Sequence, residues 1–431
     1  MIAPRMRLVE IKKGEIALTL LSAAYFFFLL LAYFILRPLR DQVGAERPEK
    51  LPWLFAAVLG GMLLAMPVYG WLVSRWPRRR FIPWVYRFFA LNLLVFFVLL
   101  KMRAPDEQRP IWTAFFIWLS VINMFVVSVF WSFMADVFRL EQSKRLFGMI
   151  AVGGSLGALV GGLLTKQLAV PLGTANLLLI SIAFLELATQ CMSWLARLRG
   201  FGDEDPRLLA TPEGARLEEA ERGDVWNGLR LLLQSPYLML IALHFLLMSS
   251  LGTVFYTQQA QMVGAAFTGD DAAAQRTAFL AGIDVWTNGC TLAAQFLLTG
   301  AIVKRFGISV ALLLQPVVCL AALLALGVWN VLPVLVVGQV TLRTLQNAAS
   351  RPAREMLFTV VGREVKYKAK SVVDTVIVRT GDQLGIWGSA GIKALGISAS
   401  SLSWAALPIA GLWCAVAVFL GRAQKKLARG E

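Results

Sequence analysis

Residues 16–37 read IALTLLSAAYFFFLLLAYFILR, and no charged side chain appears in them until Arg37. A helix rises about 1.5 Å per residue, so such a run reaches across the roughly 30 Å hydrocarbon core of a bilayer. It is longer than the apolar core of a secretory leader, which is about 7–15 residues, and no small-residue cleavage pattern follows it. It is therefore expected to stay as an uncleaved first membrane span.

The rest of the chain repeats this signal. Of its 431 residues, 58% are hydrophobic and 16% charged, and the mean hydropathy is +0.66. Soluble domains average about 45–50% apolar and about 25% charged. Disordered chains, disulfide scaffolds and ordinary soluble enzymes are thereby excluded. Twelve candidate spans can be drawn. Those of the first half are 16–37, 52–73, 81–100, 111–134, 146–165 and 174–195. Those of the second are 236–259, 276–300, 308–328, 331–352, 370–392 and 402–421. The expected class is an all-α membrane protein of twelve transmembrane helices.

A net charge of +16 on a soluble protein would suggest nucleic acid, but here the basic residues sit in short segments between spans. Counted on alternate sides, one side carries 29 Lys and Arg and the other 10. The positive-inside rule then places the richer side, with both termini, in the cytoplasm. One His and four scattered Cys exclude a His/Cys zinc site. Cys191, Cys290, Cys319 and Cys414 lie in apolar runs and read as small hydrophobes. No Gly-x-x-x-x-Gly-Lys-Ser/Thr loop or dinucleotide fingerprint is present, so no cofactor is expected and any nucleotide would be moved, not hydrolysed.

A polar segment at 197–230, containing Asp203, Glu204, Asp205, Glu218, Glu219 and Glu221, divides the chain. We expect an N-terminal six-helix bundle (1–196), this cytoplasmic linker, and a C-terminal six-helix bundle (231–431). Residues 70–80 (GWLVSRWPRRR) after the second span echo 300–307 (GAIVKRFG) after the eighth. Both resemble the glycine-then-basic loops of the major facilitator superfamily, without their usual acid; ordinary positive-inside loops would read the same way. In the fifth span, 153–162 (GGSLGALVGG) repeats small residues every four positions at Gly153, Gly157 and Gly161. That pattern lets backbones approach closely. It resembles the glycine motif of facilitator antiporters, with Ala158 where Pro is usual.

A charge at mid-bilayer costs roughly 2.5–3.5 kcal/mol on insertion scales, so each one must face a cavity or a partner. In the first span Ser22, Tyr25, Tyr33, Arg37 and Arg40 share one face; Arg37 and Arg40 either line a path or snorkel to the interface. In the tenth, Gln339, Arg343, Gln346, Ser350 and Arg354 recur at helical spacing. Arg343 either lines a cavity or pairs with Asp284 of the eighth span or Asp382 of the eleventh. Asp374, Arg379 and Asp382 lie together in the eleventh span, where Arg379 and Asp382 are spaced to pair within one helix. His244 is either a proton relay or a hydrogen-bonded core residue. Glu186 and Arg87 can tie helices together. The arginines favour an anionic solute, since a guanidinium presents a flat fork of donors and keeps its charge. The acids would counter them or carry a proton.

Three segments carry a closer resemblance: 35–41 (ILRPLRD), 130–136 (FWSFMAD) with 143–148 (SKRLFG), and 351–358 (RPAREMLF) with 366–370 (KYKAK) and Asp374. They resemble the ATP/ADP translocase family of intracellular bacteria and plastids, in its facilitator-like bacterial branch. The resemblance implies a nucleotide antiporter in which Arg40 stands at a basic position near the end of the first span. Arg354 fills a second basic position, before Glu355 and Met356. The family's acid in the fourth span is absent, since 120–123 read SVIN, and Asp284 is the nearest match to the acid of the eighth. The expected function is secondary active transport of an anionic, phosphorylated solute across a bacterial inner membrane by a monomer. The competing expectation is proton-coupled export of drugs or siderophores.

Overall fold

A computed structural model describes residues 15–76, 78–138, 140–198, 225–297, 299–361, 363–396 and 399–429. Most of the linker expected at 197–230 lies outside them. The described residues form helices and contain no strand. In hydrocarbon no water is at hand for backbone groups, so an apolar run of this length satisfies its amides within itself.

The first six helices are α1 (Ile16–Glu46), α2 (Leu51–Arg75), α3 (Arg78–Met102), α4 (Arg109–Val137), α5 (Leu140–Leu172) and α6 (Asn176–Leu198). A short amphipathic helix, α7 (Val225–Gln234), precedes α8 (Pro236–Ala266), α9 (Ala272–Leu297), α10 (Thr299–Val328) and α11 (Leu332–Leu345). Then follow α12 (Arg351–Leu357), α13 (Arg363–Val372), α14 (Val378–Ala394) and α15 (Ala399–Arg429). Among the described residues nine helices are long and apolar enough to cross a membrane. The three expected spans that fall short are the eighth, tenth and eleventh. In α9 the polar residues lower the hydropathy. The tenth and eleventh are interrupted by π-turns at Gln346–Ser350 and Val373–Ile377.

The chain forms two compact units: residues 1–43, 60–209 and 269–288, and residues 44–59, 210–268 and 289–431. In the first, aromatic rings fill the core. Tyr25, Phe130 and Phe133 are fully or almost fully buried, and Phe26 stacks on Phe130 with centroids 4.1 Å apart. The Tyr25 and Tyr86 hydroxyls hydrogen-bond at 2.6 Å, so Tyr25 serves this core and not a polar path. In the second, α10 runs along α15 and α14 along α8, around a core containing Phe245, Leu323, Phe358 and Trp413.

Candidate functional site

Two helix pairs, each formed by close backbone contact, carry the charged residues. In the first unit, Gly153, Gly157 and Gly161 of α5 lie against Ala23, Phe27 and Leu31 of α1. A Cβ at Gly153 would stand 2.5 Å from the Ala23 carbonyl oxygen and one at Gly161 2.6 Å from that of Leu31. One at Gly157 would overlap the Phe27 carbonyl oxygen. The stripe is thus an interhelical contact that no side chain could enter.

Beyond this contact α1 carries the charges. The Arg37 guanidinium meets Asp284 of α9 at 3.2 Å and Asp41 at 3.9 Å. Arg40 holds the other oxygen of Asp41 through Nη2 at 2.5 Å and Nε at 3.0 Å. The result is a chain of alternating sign, Asp284–Arg37–Asp41–Arg40. Asp41 and Asp284 are 4% and 2% exposed, so neither carboxylate relies on water. The faces of Phe34 and Phe116 lie 5.5 and 5.8 Å from the two guanidinium carbons, where a ring quadrupole attracts a cation. Asp41 was not among the residues singled out by sequence, although its place four residues after Arg37 and one after Arg40 is the local signal for it.

In the second unit the eleventh-span helix α14 packs on α8 through Gly381 and Gly385, whose Cβ positions would meet the Leu246 and Ser250 carbonyl oxygens. Ser250 Oγ donates to the Gly381 carbonyl at 3.0 Å. Between these glycines stands Asp382. It accepts hydrogen bonds from Ser249 Oγ, from Thr253 Oγ1 at 3.3 Å and from Arg379 Nη1 at 3.0 Å. The repeat Gly381-x-x-x-Gly385-x-x-x-Ser389 is the signal that sequence reading passed over. Arg354 pairs with Asp374 and lies 5.0 Å from the centre of the Phe245 ring. Beside them Lys370 holds both oxygens of Glu355 at 2.8 Å.

The tenth-span stripe is divided between α8 and α10. Gln339 is buried and donates to the Phe255 carbonyl at 3.2 Å, and Arg343 reaches Gln259 Oε1 of α8 at 3.5 Å. Gln346 opens the π-turn and is half-buried. Past that turn Ser350 points to Gln315 of α10 at 2.5 Å, and Arg354 to Asp374. A π-turn holds more residues than an α-turn, so side chains after it leave the phase set before it. Asp284 pairs with Arg37 and Asp382 with Arg379. His244 is 2% exposed, and its Nδ1 accepts from Trp413 Nε1 at 3.2 Å. That is a hydrogen-bonded core arrangement.

The model of the Major Facilitator Superfamily matches residues 16–349. The chain belongs to that superfamily. This facilitator is accordingly a multi-pass membrane protein. It is 22% identical over 290 residues to ADP,ATP carrier protein 1 of Chlamydia trachomatis, which covers 60% of this chain and 54% of the relative. To ADP,ATP carrier protein 1 of Chlamydia muridarum it is 23% identical over 312 residues, covering 64% and 57%. The facilitator thus spans little more than half the length of these curated relatives. Among solved structures, the POT family transporter PepTSo aligns with a TM-score of 0.61 at 14% identity, over 98% of each chain. A bacterial homologue of the human lysosomal transporter Spinster, inward-facing and unoccupied, aligns with a TM-score of 0.50 at 16% identity over 97% of this chain and 98% of its own. Likenesses at such identity speak for the fold alone.

Proposed function

We propose that this facilitator carries an anionic, phosphate-bearing solute, nucleotide-like in kind, across a bacterial inner membrane by alternating access, as an exchanger. The observation that carries the reading is the alternating chain Asp284–Arg37–Asp41–Arg40. Its guanidinium groups already hold oxyanions, and phosphate oxygens suit the same forks. Its carboxylates keep the site neutral when no solute is bound, so an arriving anion replaces a carboxylate instead of meeting bare charge. Arg343, Arg354 and Arg379, with Gln339 and Gln346, supply further donors, and Asp374 and Asp382 serve as counter-charges. The names of the Chlamydia relatives support the choice of anion, and the 29-to-10 bias of Lys and Arg supports cytoplasmic termini. Two six-helix bundles, 1–196 and 231–431, acting as a monomer, belong to the same proposal.

The test is uptake by proteoliposomes preloaded with ADP, offered labelled ATP, ADP or sugar phosphates. Uptake that requires the internal anion is expected. Accumulation that follows an imposed pH gradient and ignores the internal anion would favour proton-coupled export of drugs or siderophores. Lack of any anion flux would end the proposal.

A further inference from the structure

On the outside of the first unit a groove of about 610 Å³ runs between the start of α1 and the end of α6. Ala17, Leu20, Leu21 and Ala24 form one wall and Trp194, Arg197 and Leu198 the other. Each wall is a helical stripe. The α1 residues follow the i, i+3, i+4, i+7 pattern and span about 10 Å of helix at 1.5 Å per residue. The two alanines leave the hollow. Leu20, Trp194 and Leu198 are more than half exposed, as suits a surface in contact with acyl chains.

Arg197 closes this apolar groove at the last turn of α6. Two other arginines of this unit are matched within the protein: Arg145 with Glu15 at 3.1 Å and Arg87 with Glu186 at 3.2 Å. Arg197 has no hydrogen-bond or ion-pair partner among the described residues. An arginine at the end of a span, beside a tryptophan of the interfacial kind and above an apolar hollow, offers both halves of a lipid site. We infer that this groove binds an anionic phospholipid, with one acyl chain along the alanine side of α1 and the phosphate on Arg197.

The chemistry divides cleanly between the two walls. The hollow takes a chain from any phospholipid, whereas the guanidinium prefers a headgroup with net negative charge. A basic residue at an anionic membrane surface contributes about 1 kcal/mol, or about fivefold in affinity. The site rests on the membrane location of the chain and is independent of the transported solute.

Native mass spectrometry of the purified full chain in detergent, titrated with palmitoyl-oleoyl phosphatidylglycerol or phosphatidylcholine, tests it. Wild type is expected to retain the glycerol lipid about fivefold better than the choline lipid. Arg197→Ala removes that preference, and Arg197→Lys keeps it. Ala24→Trp, which fills the hollow, lowers retention of both lipids. Equal retention of the two lipids by wild type, or a preference that survives Arg197→Ala, overturns the assignment. Because Arg197 is exposed and has no partner among the described residues, the variants are expected to fold, and no step of the test requires transport.

Discussion

The α1–α5 and α8–α14 pairs use the same device to different ends. In the first, the backbone contact and the charges are separated along the helix: glycines meet α1 at Ala23, Phe27 and Leu31, and the ion chain begins six residues later at Arg37. In the second they are interleaved, with Asp382 between Gly381 and Gly385 and its hydroxyl donors on the facing turns of α8. A change in packing can therefore leave the charges in place in one region, whereas in the other it displaces them.

The largest expected effect breaks the ion chain alone. Asp284→Ala leaves the half-buried Arg37 with one distant carboxylate, and losing a buried partner costs about 3 kcal/mol. A large fall in the thermal midpoint in detergent and loss of exchange are expected. The exchanged pair Arg37→Asp with Asp284→Arg should recover much of the midpoint; no recovery would show that the contact is not what stabilises this region. Next come the glycines. Gly157→Ala and Gly385→Ala each drive a methyl group into a backbone carbonyl, a strain of about 2 kcal/mol. Both should lower the midpoint alike, but only Gly385→Ala should depress flux more than stability explains, because it moves Asp382 away from Ser249. Equal flux in the two stabilised reconstitutions would dissolve the distinction. Ser249→Ala removes one donor from a charged acceptor and should cost about 1.5 kcal/mol, read by the same thermal shift. The smallest effect is Arg103→Ala. Its pair with Glu107 is exposed on both sides, and a change within about 0.5 kcal/mol is expected.

Nine of the spans were legible because a bilayer imposes length and hydropathy on them, and the fifth-span glycines because their period shows in a single helix. Arg379 and Asp382 were legible for the same local reason: three residues apart on a helix, they face each other. The link from Arg37 to Asp284 was not, since nothing local chooses among acids on other spans. Arg343 illustrates a second obstacle. A stripe projected at constant helical phase assumes an unbroken helix, and across the π-turn at 346–350 Ser350 meets Gln315 of α10 whereas Gln339 and Arg343 meet α8. Gly381 and Gly385 were hidden by the charges around them, which drew the reading toward electrostatics.

The two wide turns at 346–350 and 373–377 stand at either end of the stretch that carries Arg354, Glu355 and Lys370. Each stores one residue more than a regular turn, and passing that residue along the helix swivels every side chain it crosses by about 100°. Arg354 and Asp374 can thus be re-aimed by sliding a bulge, while the long helices on either side keep their places in the bilayer.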